Sequence, residues 1–451
     1  MRIHFISIGG SVMHQLAIAL KLKGYQVTGT DDDIFEPASS NLKKHGLLPE
    51  KTGWQPELIT PGLDAVILGM HARIDNPELI KARELGLPIY SFPEYIYKES
   101  IHKTRVAIGG SHGKTTTTSM VMHVLQFHHK AFDYLVGAAL EGFSQSVNIT
   151  DAPTIVCEAD EYPASALERR PKFHFLHPQV AVLTGIAWDH INVFPKFSNY
   201  LEQFEIFINK IIPNGILIYN ESDETLKSLV ESTKRDDIRY QPYSVPVHEI
   251  NNGVTSLTIE GITSDINVFG HHNLMNILAA YYVCKELGID ARGFMEAIAS
   301  FKGAAKRLEI VAQNKHTTIF RDFAHAPSKV NATIRAVKEQ FPERQLIAAL
   351  ELHTYSSLNR DFLPQYAGSL DVANVACVYY SRHALEIKKM PPLDVETVKA
   401  GFNNPDLFVF SKPEDFKTWL DNNDYQNATL LLMSSGTFDG LNYNELDYLL
   451  K

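Results

Sequence analysis

The stretch that decides the fold is residues 104–118, Thr-Arg-Val-Ala-Ile-Gly-Gly-Ser-His-Gly-Lys-Thr-Thr-Thr-Thr. Its apolar start predicts a buried strand, and the apolar spacing that continues to Gln126 predicts a helix. Between them lies a glycine-rich turn. A strand, a glycine turn and a helix N-terminus together present backbone N–H groups to a bound phosphate. The standard Walker pattern has glycine five positions before Gly113, where this chain has Ile108, so the loop is a shortened variant.

The loop therefore predicts a nucleoside triphosphate site. Lys114 adds positive charge for the terminal phosphates, and the Thr115 hydroxyl is a ligand for Mg²⁺. The alternative is a tight glycine turn capped by serine. The predicted phosphate-binding residues are Gly110, Ser111, His112, Gly113, Lys114, Thr115 and Thr116.

Similar strand and helix patterns extend in both directions from the loop. The short apolar runs at residues 3–8, 64–68 and 87–90, with helical stretches between them, predict a small Rossmann-like domain over residues 1–101. A central P-loop domain is predicted over 102–307, with a β-hairpin at 252–265 inserted in it. Strand-like runs at residues 317–320, 345–350, 375–379 and 428–433 predict a third, C-terminal Rossmann-like α/β domain over 308–451.

Composition excludes several classes of protein. The 451 residues carry a net charge of -10 and no block of Lys and Arg, which argues against a nucleic-acid partner. No apolar run approaches the length of a membrane helix, and the first ten residues are expected to form a strand and not a signal peptide. The three cysteines are far apart, which fits a reducing compartment and excludes a cysteine-based zinc site. We expect a soluble cytoplasmic protein and a monomer.

Acidic and imidazole side chains follow the next two predicted strands of the central domain. Glu158, Asp160 and Glu161 come directly after the strand 154–157, and Asp189-His190 comes shortly after the strand 180–183. Ligands collect at the carboxyl ends of parallel strands. Oxygen ligands at this edge suit Mg²⁺, and His190 is a candidate for a metal or phosphate role; the alternative is a solvated acidic loop.

Two further groups of polar residues lie near the end of the central domain and beyond it. His271-His272-Asn273-Leu-Met-Asn276 opens a helix, where Asn273 either caps the helix or contacts adenine, while Asn276 is the better binding candidate. Arg307 lies at the boundary. Asp322 and His325 follow the first strand of the third domain and would face the phosphate loop if the domains close.

Over nearly its whole length, the chain resembles the Mur ligases of peptidoglycan synthesis. The resemblance is carried by five features in this order: the loop, the acidic strand exit, Asp-His, His-Asn-x-x-Asn and Asp-Phe-Ala-His-x-Pro. The resemblance implies a three-domain ATP-dependent ligase that uses Mg²⁺ and acts on UDP-N-acetylmuramate. Local features are more similar to the branch that adds the tripeptide L-alanyl-γ-D-glutamyl-meso-diaminopimelate during peptidoglycan recycling. These features are residues 159–162, 170–173, 188–194 and 434–440.

The resemblance also implies roles for individual residues. Catalysis falls to Lys114, Glu158, His190, Asp322 and His325, and nucleotide binding extends to His272, Asn273, Asn276 and Arg307. The ligands of Mg²⁺ are implied to be Thr115, Glu158 and His190. The sugar nucleotide and the acceptor are assigned to Gly9, Gly10, Ser11, Asp31, His71, His353 and Thr354.

The sequence departs from the family pattern at several positions. Val12 and His14 replace small residues in the first glycine loop, and Arg321 replaces the first member of an acidic pair. Residues 351–357, Glu-Leu-His-Thr-Tyr-Ser-Ser, stand where the recycling branch carries an Arg-Ser-Asn-Thr-type stretch that faces the incoming amine. The identity of the peptide therefore stays open.

Several alternatives remain. The nearest is the same reaction with free L-alanine as the acceptor. A folylpolyglutamate synthase is disfavoured because it needs no separate sugar-nucleotide domain. A P-loop motor or nucleotide switch would hydrolyse ATP without either substrate, and a non-catalytic binding module would not turn over at all.

Overall fold

The structure is a computed structural model that describes residues 1–70, 72–137, 140, 142–143, 145–188, 193–303 and 307–450. Its strands lie in mostly parallel α/β sheets, as the sequence predicts. The chain forms two compact units. The first contains Met1–Val245 and Met275–Ile298, and the second contains Pro246–Leu274 and Ala299–Lys451.

The first unit opens with a small α/β sheet. Its elements are β1 (Arg2–Ile6), α1 (Ser11–Leu22), β2 (Gln26–Thr30), α2 (Ala38–Lys44), β3 (Ala65–Leu68), α3 (Pro77–Glu84), β4 (Ile89–Ser91) and α4 (Phe92–Ser100). The four strands are parallel in the order β2-β1-β3-β4. Helix α3 begins sharply because the Asn76 side chain accepts hydrogen bonds from the backbone N–H groups of Glu78 and Leu79.

A larger sheet follows in the same unit. Its elements are β5 (Thr104–Gly109), α5 (Lys114–Phe127), β6 (Asp133–Leu135), β7 (Val147–Asn148), β8 (Thr154–Glu158), β9 (Val180–Leu183), α6 (Phe197–Asn209), β10 (Ile216–Asn220), α7 (Glu224–Ser232) and β11 (Arg239–Tyr243). The order is β11-β10-β9-β5-β8-β6-β7, with β7 antiparallel to its neighbour. The chain order reverses at β5, so the carboxyl ends of β5, β8 and β9 meet at a topological switch point, where α/β sheets bind ligands.

The second unit contains an antiparallel sheet and a mixed sheet. The first comprises β12 (His248–Asn251), β13 (Val254–Ile259) and β14 (Ile262–Ile266). Helix α8 (His271–Glu286) then runs from the second unit into the first, which also holds α9 (Ala291–Ile298). The mixed sheet and its helices are β15 (Glu309–Gln313), β16 (Thr318–Asp322), α10 (Pro327–Gln340), β17 (Gln345–Leu352), β18 (Val375–Tyr380), α11 (Arg382–Ile387), α12 (Val395–Phe402), β19 (Phe408–Phe410), α13 (Pro413–Asn422) and β20 (Ala428–Met433). Its order is β15-β16-β20-β17-β18-β19.

The predicted hairpin at residues 252–265 is confirmed as strands β13 and β14. Strand β12, which pairs with β13, was not predicted. Its four residues alternate between half-buried and exposed positions and contain a single large apolar side chain, Ile250, so its sequence carries little hydrophobic signal. Only its neighbour in the sheet makes it a strand.

The core of the first unit joins its two sheets. Phe5 and Leu16 of the first sheet and its helix belong to one buried apolar cluster with Phe173, Phe204 and Phe207, which pack beside the second sheet. No helix among the described residues is both long enough and apolar enough to cross a bilayer.

One buried histidine in this core predicts a pH dependence of stability. His174 is only 5% exposed, stacks on Phe173 and places Nε2 2.9 Å from the Gln203 carbonyl oxygen, which accepts its hydrogen bond. Burial lowers its pKa to about 4. The unfolded chain binds this proton below about pH 6.5 while the folded protein does not, so stability falls as the pH falls from 6.5 towards 4.

We expect the His174→Gln variant, which keeps a donor for Gln203, to lose about 1.5 kcal/mol less stability than the wild type between pH 6.5 and pH 5. Urea unfolding at a series of pH values measures this difference. Other buried histidines, such as His14, contribute equally to both proteins and cancel. Parallel stability curves for the two proteins would contradict the prediction.

Candidate active site

The glycine loop between β5 and α5 is shaped by two residues with left-handed backbone. Gly110 has a φ of +117°, and a Cβ there would lie 2.3 Å from Thr184 Oγ1. Gly113 has a φ of +84°, and a Cβ there would lie 2.4 Å from Asn276 Oδ1. Both positions therefore require glycine. The close approach brings the exit of β9 and helix α8 directly against the loop.

Ser111 holds the loop to the segment that follows β9. Its hydroxyl lies 2.8 Å from both the backbone nitrogen and the carbonyl oxygen of Ala187, and its N–H donates to the Gly185 carbonyl at 2.9 Å. The Thr184 hydroxyl donates to the carbonyl of His112. Both polar groups of Ser111 thus stabilise the turn, and the predicted phosphate site rests on this scaffold.

The ammonium group of Lys114 lies at the mouth of the loop. Nζ donates to the Gly110 carbonyl at 2.6 Å and pairs with Glu161 Oε2 at 3.2 Å. Glu161 is 1% exposed, and its other carboxylate oxygen accepts a hydrogen bond from the Tyr200 hydroxyl at 2.9 Å. The loop lysine is therefore positioned by a buried carboxylate.

Thr115 and Glu158 come together at the exits of neighbouring strands. Thr115 Oγ1 donates to Glu158 Oε1 at 2.7 Å, and the Gly137 N–H donates to Glu158 Oε2 at 3.0 Å. Adjacent oxygen ligands on Mg²⁺, at about 2.0–2.1 Å from the metal and at right angles, lie about 2.9 Å apart. The spacing and the donor types of this pair fit such an ion. Thr116 lies beside them in the first turn of α5, where its carbonyl accepts from Ser119 Oγ at 2.8 Å.

The glycine loop of the first sheet is also built around a carboxylate. The Gly9 N–H donates to Asp31 Oδ2 at 2.7 Å, and Asp31 is 1% exposed at the end of β2. Gly10 and Ser11 lead into α1, and the Gly10 carbonyl lies 2.9 Å from Nδ1 of His14. Burial lowers the pKa of His14. The histidine that replaces a small residue of the family pattern is therefore a neutral, packed side chain.

A pocket of about 530 Å³ lies beside this part of the first sheet. It was not predicted from the sequence. Its lining residues are Asp32, Trp54, Met70, Arg73, Asp75, Asn76 and Pro77. His71, predicted to bind substrate, lies outside the described residues, as do Asp189 and His190.

Within the second unit, the start of α8 gathers three of the predicted nucleotide-binding residues. Asn273 is not the helix cap, because α8 begins at His271; its side chain donates to the Phe269 carbonyl at 2.9 Å from within the first turn. Burial lowers the pKa of His272 to about 4, and the positive charge of Arg307 acts in the same direction. Arg307 itself lies over the Phe323 ring.

Asp322 ends β16 as a buried carboxylate. Its two oxygens accept hydrogen bonds from the N–H groups of Leu308 and Ala324, each at 2.7 Å. Burial raises its pKa, whereas Arg307 and these hydrogen bonds lower it, and burial prevails. The neighbouring departure from the family pattern, Arg321, is neutralised by two hydrogen bonds to Glu309 at 2.7 and 2.9 Å.

His325 and the stretch after β17 complete the predicted residues of the second unit. His325 Nδ1 lies 2.8 Å from the Phe323 carbonyl, and the Tyr366 hydroxyl donates to the His325 carbonyl. Thr354 closes a turn with Ser357.

His353 is part of a tight cluster in the same unit. Its Nδ1 lies 3.7 Å from Oε1 of buried Glu351, whose other oxygen accepts from Ser434 and from the Phe438 N–H. A Cβ at Gly436 would lie 2.8 Å from His353 Nδ1. The segments 351–357 and 434–440, far apart in sequence, therefore meet on one carboxylate.

In a comparison with known proteins, models of three Mur ligase domains match successive segments of the chain. Residues 2–101 match the model of the Mur ligase family catalytic domain, residues 108–284 the Mur ligase middle domain, and residues 306–436 the Mur ligase glutamate ligase domain. A UDP-N-acetylmuramate–L-alanine ligase from Persephonella marina is 31% identical over 78% of this chain and 76% of its own.

The chain belongs to the Mur ligase family. It is an ATP-dependent amide-forming ligase of peptidoglycan synthesis. Among solved structures, the UDP-N-acetylmuramate–alanine ligase of Thermotoga maritima has a TM-score of 0.67 at 21% identity, covering 99% of this chain and 98% of its own. A UDP-N-acetylmuramate:L-alanyl-γ-D-glutamyl-meso-diaminopimelate ligase from Neisseria meningitides has a TM-score of 0.60 at 27% identity, covering 67% of this chain and 98% of its own.

In this Mur ligase, the structure brings Lys114, Thr115 and Glu158 together and sets Asn276 against the loop. Sequence reasoning missed Thr184, Tyr200 and Asp223. Thr184 had a usable signal, since it directly follows the predicted strand 180–183. Tyr200 and Asp223 had none: Tyr200 lies on α6, and Asp223, the cap of α7, reaches back to accept the Ile186 N–H at 2.7 Å.

The two backbone hydrogen bonds to Asp322 predict a large effect on stability. We expect Asp322→Ala to leave the amides of Leu308 and Ala324 buried and unpaired, and to lower the free energy of unfolding by at least about 2 kcal/mol. Asp322→Asn, which retains one acceptor oxygen, should lose less. Denaturant unfolding followed by fluorescence measures both. Asp447→Ala removes an exposed carboxylate from the same unit and is the control; equal stability of Asp322→Ala and this control would contradict the role of Asp322.

Proposed function

We propose that this Mur ligase joins the lactyl carboxylate of UDP-N-acetylmuramate to the α-amine of L-alanyl-γ-D-glutamyl-meso-diaminopimelate, with ATP as the energy source, in the cytoplasm. The observation that carries the proposal is the grouping at the switch point of the second sheet. There Lys114 and Thr115 follow β5, and Glu158 ends β8. The Thr115 hydroxyl lies 2.7 Å from a carboxylate oxygen of Glu158. Such a site activates a carboxylate by phosphoryl transfer.

In this proposal the loop from Gly110 to Thr116 binds the phosphates of ATP through backbone N–H groups and Lys114. Thr115, Glu158 and His190 hold Mg²⁺, which when bound neutralises charge on the transferring phosphoryl group. Lys114 carries the matching charge on the protein side. Glu161 keeps the lysine directed at the loop, at 3.2 Å.

The domain over residues 1–101 holds the sugar nucleotide in this proposal. Its glycine loop at Gly9, Gly10 and Ser11, held by Asp31, faces the diphosphate. The pocket of about 530 Å³ beside it gives room for a bound nucleotide. Val12, in the first turn of α1, lines a cavity of about 30 Å³ together with Glu158, Asp160 and Lys172, which lie on or beside the second sheet. The start of α1 therefore lies beside the carboxylates at the exit of β8, which supports delivery of the lactyl carboxylate to this edge of the second sheet.

The chemistry proceeds in two displacements. A carboxylate oxygen attacks the γ-phosphorus of ATP, the bond to the β-phosphate oxygen breaks, and ADP leaves. The uncharged α-amine then attacks the carbonyl carbon of the acyl phosphate, the amide bond forms, inorganic phosphate leaves, and the amine loses its proton. Catalysis relies on position and charge neutralisation.

The remaining domains supply the rest of the site. In the domain over 102–307, Asn276 and the stretch with His272 and Asn273 take the adenine end of the nucleotide, and Arg307 serves the phosphates. In the domain over 308–451, Asp322 and His325 complete the nucleotide site, and His353 and Thr354 face the acceptor.

The tripeptide acceptor is supported by the segments at 159–162, 170–173, 188–194 and 434–440, and by the 27% identity to the Neisseria enzyme named for that reaction. A second candidate acceptor is free L-alanine, because the 31% identical Persephonella relative is named for it. Both candidates share the donor, the nucleotide and the activation step, and they differ in the amine alone.

Removing the ammonium group of Lys114 tests the activation step. We expect Lys114→Ala to reduce kcat of ADP formation, measured with both substrates present, by at least about 100-fold, because the transferring phosphoryl group loses a fixed positive charge. Lys234→Ala, which removes an exposed lysine of the same unit, is the control and should retain wild-type turnover. Unchanged turnover of Lys114→Ala would remove the loop from the mechanism.

The choice of acceptor is tested by steady-state phosphate release with ATP, Mg²⁺ and UDP-N-acetylmuramate plus either the tripeptide or L-alanine. We expect kcat/KM at least about tenfold higher with the tripeptide, with formation of the corresponding UDP-linked product shown by mass spectrometry; tenfold corresponds to about 1.4 kcal/mol of transition-state binding.

Each other outcome assigns a different function. Turnover with L-alanine and none with the tripeptide supports the second candidate and overturns the first. Hydrolysis of ATP at full rate without the sugar nucleotide and acceptor would favour a nucleotide switch.

Replacing His353 with alanine should raise KM for the acceptor and leave KM for ATP unchanged if this residue faces the amine.

A further inference from the structure

Three side chains that the ligase reaction does not use meet on the surface of the second unit. His248 begins β12, His271 begins α8, and Glu339 lies near the end of α10. One ligand atom from each lies within 4.8 Å of the other two. Two imidazoles and a carboxylate are the donor set that Zn²⁺ and related divalent transition metals prefer.

The distance between two of the donors fits a single ion. His271 Nε2 lies 3.1 Å from Glu339 Oε1. Two ligands at about 2.0–2.1 Å from a tetrahedral Zn²⁺ are about 3.3 Å apart, so a small outward movement places an ion between them. Both side chains are exposed, 54% for His271 and 39% for Glu339, which leaves room for movement and for a water ligand.

The third donor is oriented as metal-binding histidines are. His248 Nδ1 lies 2.9 Å from the Pro246 carbonyl oxygen, which can only accept, so Nδ1 carries the proton and Nε2 keeps its lone pair. Histidine ligands commonly donate their second N–H to a backbone carbonyl, which fixes both the tautomer and the ring orientation. The ring meets that of His271 edge to face, with centroids 5.4 Å apart.

We propose that His248, His271 and Glu339 bind one divalent transition-metal ion, of which Zn²⁺ fits best. The ion would tie β12 and the first residue of α8 to α10. The first two ligands fall in the segment that matches the Mur ligase middle domain, and the third falls in the segment that matches the glutamate ligase domain. Bound Zn²⁺ therefore cross-links segments of two matched domains inside one compact unit and stabilises it.

Titration of metal-free, full-length protein with Zn²⁺ in the presence of excess Mg²⁺ tests the proposal, because Mg²⁺ prefers oxygen donors and does not compete for imidazole. We expect one Zn²⁺ per chain by isothermal titration calorimetry. Co²⁺ in place of Zn²⁺ should give the visible absorption of a tetrahedral site. Zn²⁺ should also raise the melting temperature, because it binds the folded state.

Single-residue variants locate the ion. We expect Glu339→Gln and His248→Gln each to weaken Zn²⁺ binding at least about tenfold, since even second ligand-shell changes cost that much. His383→Ala is the matched control: His383 pairs with Glu386 at 4.0 Å on α11, but both are largely exposed and the pair belongs to no three-donor group among the described residues.

Two results would overturn the proposal: no stoichiometric Zn²⁺ binding by the wild type, or binding that Glu339→Gln and His248→Gln leave unchanged. The melting temperature of each variant without Zn²⁺ shows whether it folds as the wild type does. Zn²⁺-free ligase activity provides a second reference, since none of the three residues belongs to the proposed active site. Absence of that activity from the wild type would question the ligase assignment and not the metal site.

Discussion

The close approach of the glycine loop to the end of strand β9 is the constraint on which the active region depends. Gly110 sits so near Thr184 that even a single added carbon would overlap its hydroxyl, at 2.3 Å. The turn therefore lies directly against the residues that follow β9, and α5 begins at Lys114. Because the loop, Glu158 and Thr184 follow three adjacent parallel strands, their side chains converge without any long-range folding device.

Carboxylates hold the loops described above in place, and those of Asp31, Glu161, Asp322 and Glu351 are buried, whereas that of Glu158 is half-buried. Asp31 accepts the Gly9 N–H, Glu158 accepts Thr115, Glu161 pairs with Lys114, Asp322 accepts two backbone amides, and Glu351 joins two distant segments. A carboxylate that accepts several hydrogen bonds stays buried at low cost and fixes its partners in direction as well as position.

Much of the fold was predictable because its strands are buried on both faces. The runs at 180–183 and 428–433 were predicted with the bounds that the structure shows for β9 and β20, since parallel strands covered by helices have continuous apolar sequences. Edge elements were harder. Strand β12 has no such run, and the helix start at His271 could not be told from a cap at Asn273, because local sequence does not say which residue first adopts helical backbone.

The sequence alone determined the class of the protein: α/β sheets, a phosphate loop at Gly110 to Thr115, an acid after the next strand, and membership of the Mur ligases. Tertiary structure decided which partners those residues have. Tyr200 and Glu161 position Lys114, and Asp223 holds the segment after β9. His353 contacts Glu351 and lies close to Gly436. Most of these contacts join residues that are distant in sequence. A local pattern encodes strands, turns and helices through spacing, whereas such contacts exist only once the sheets have packed.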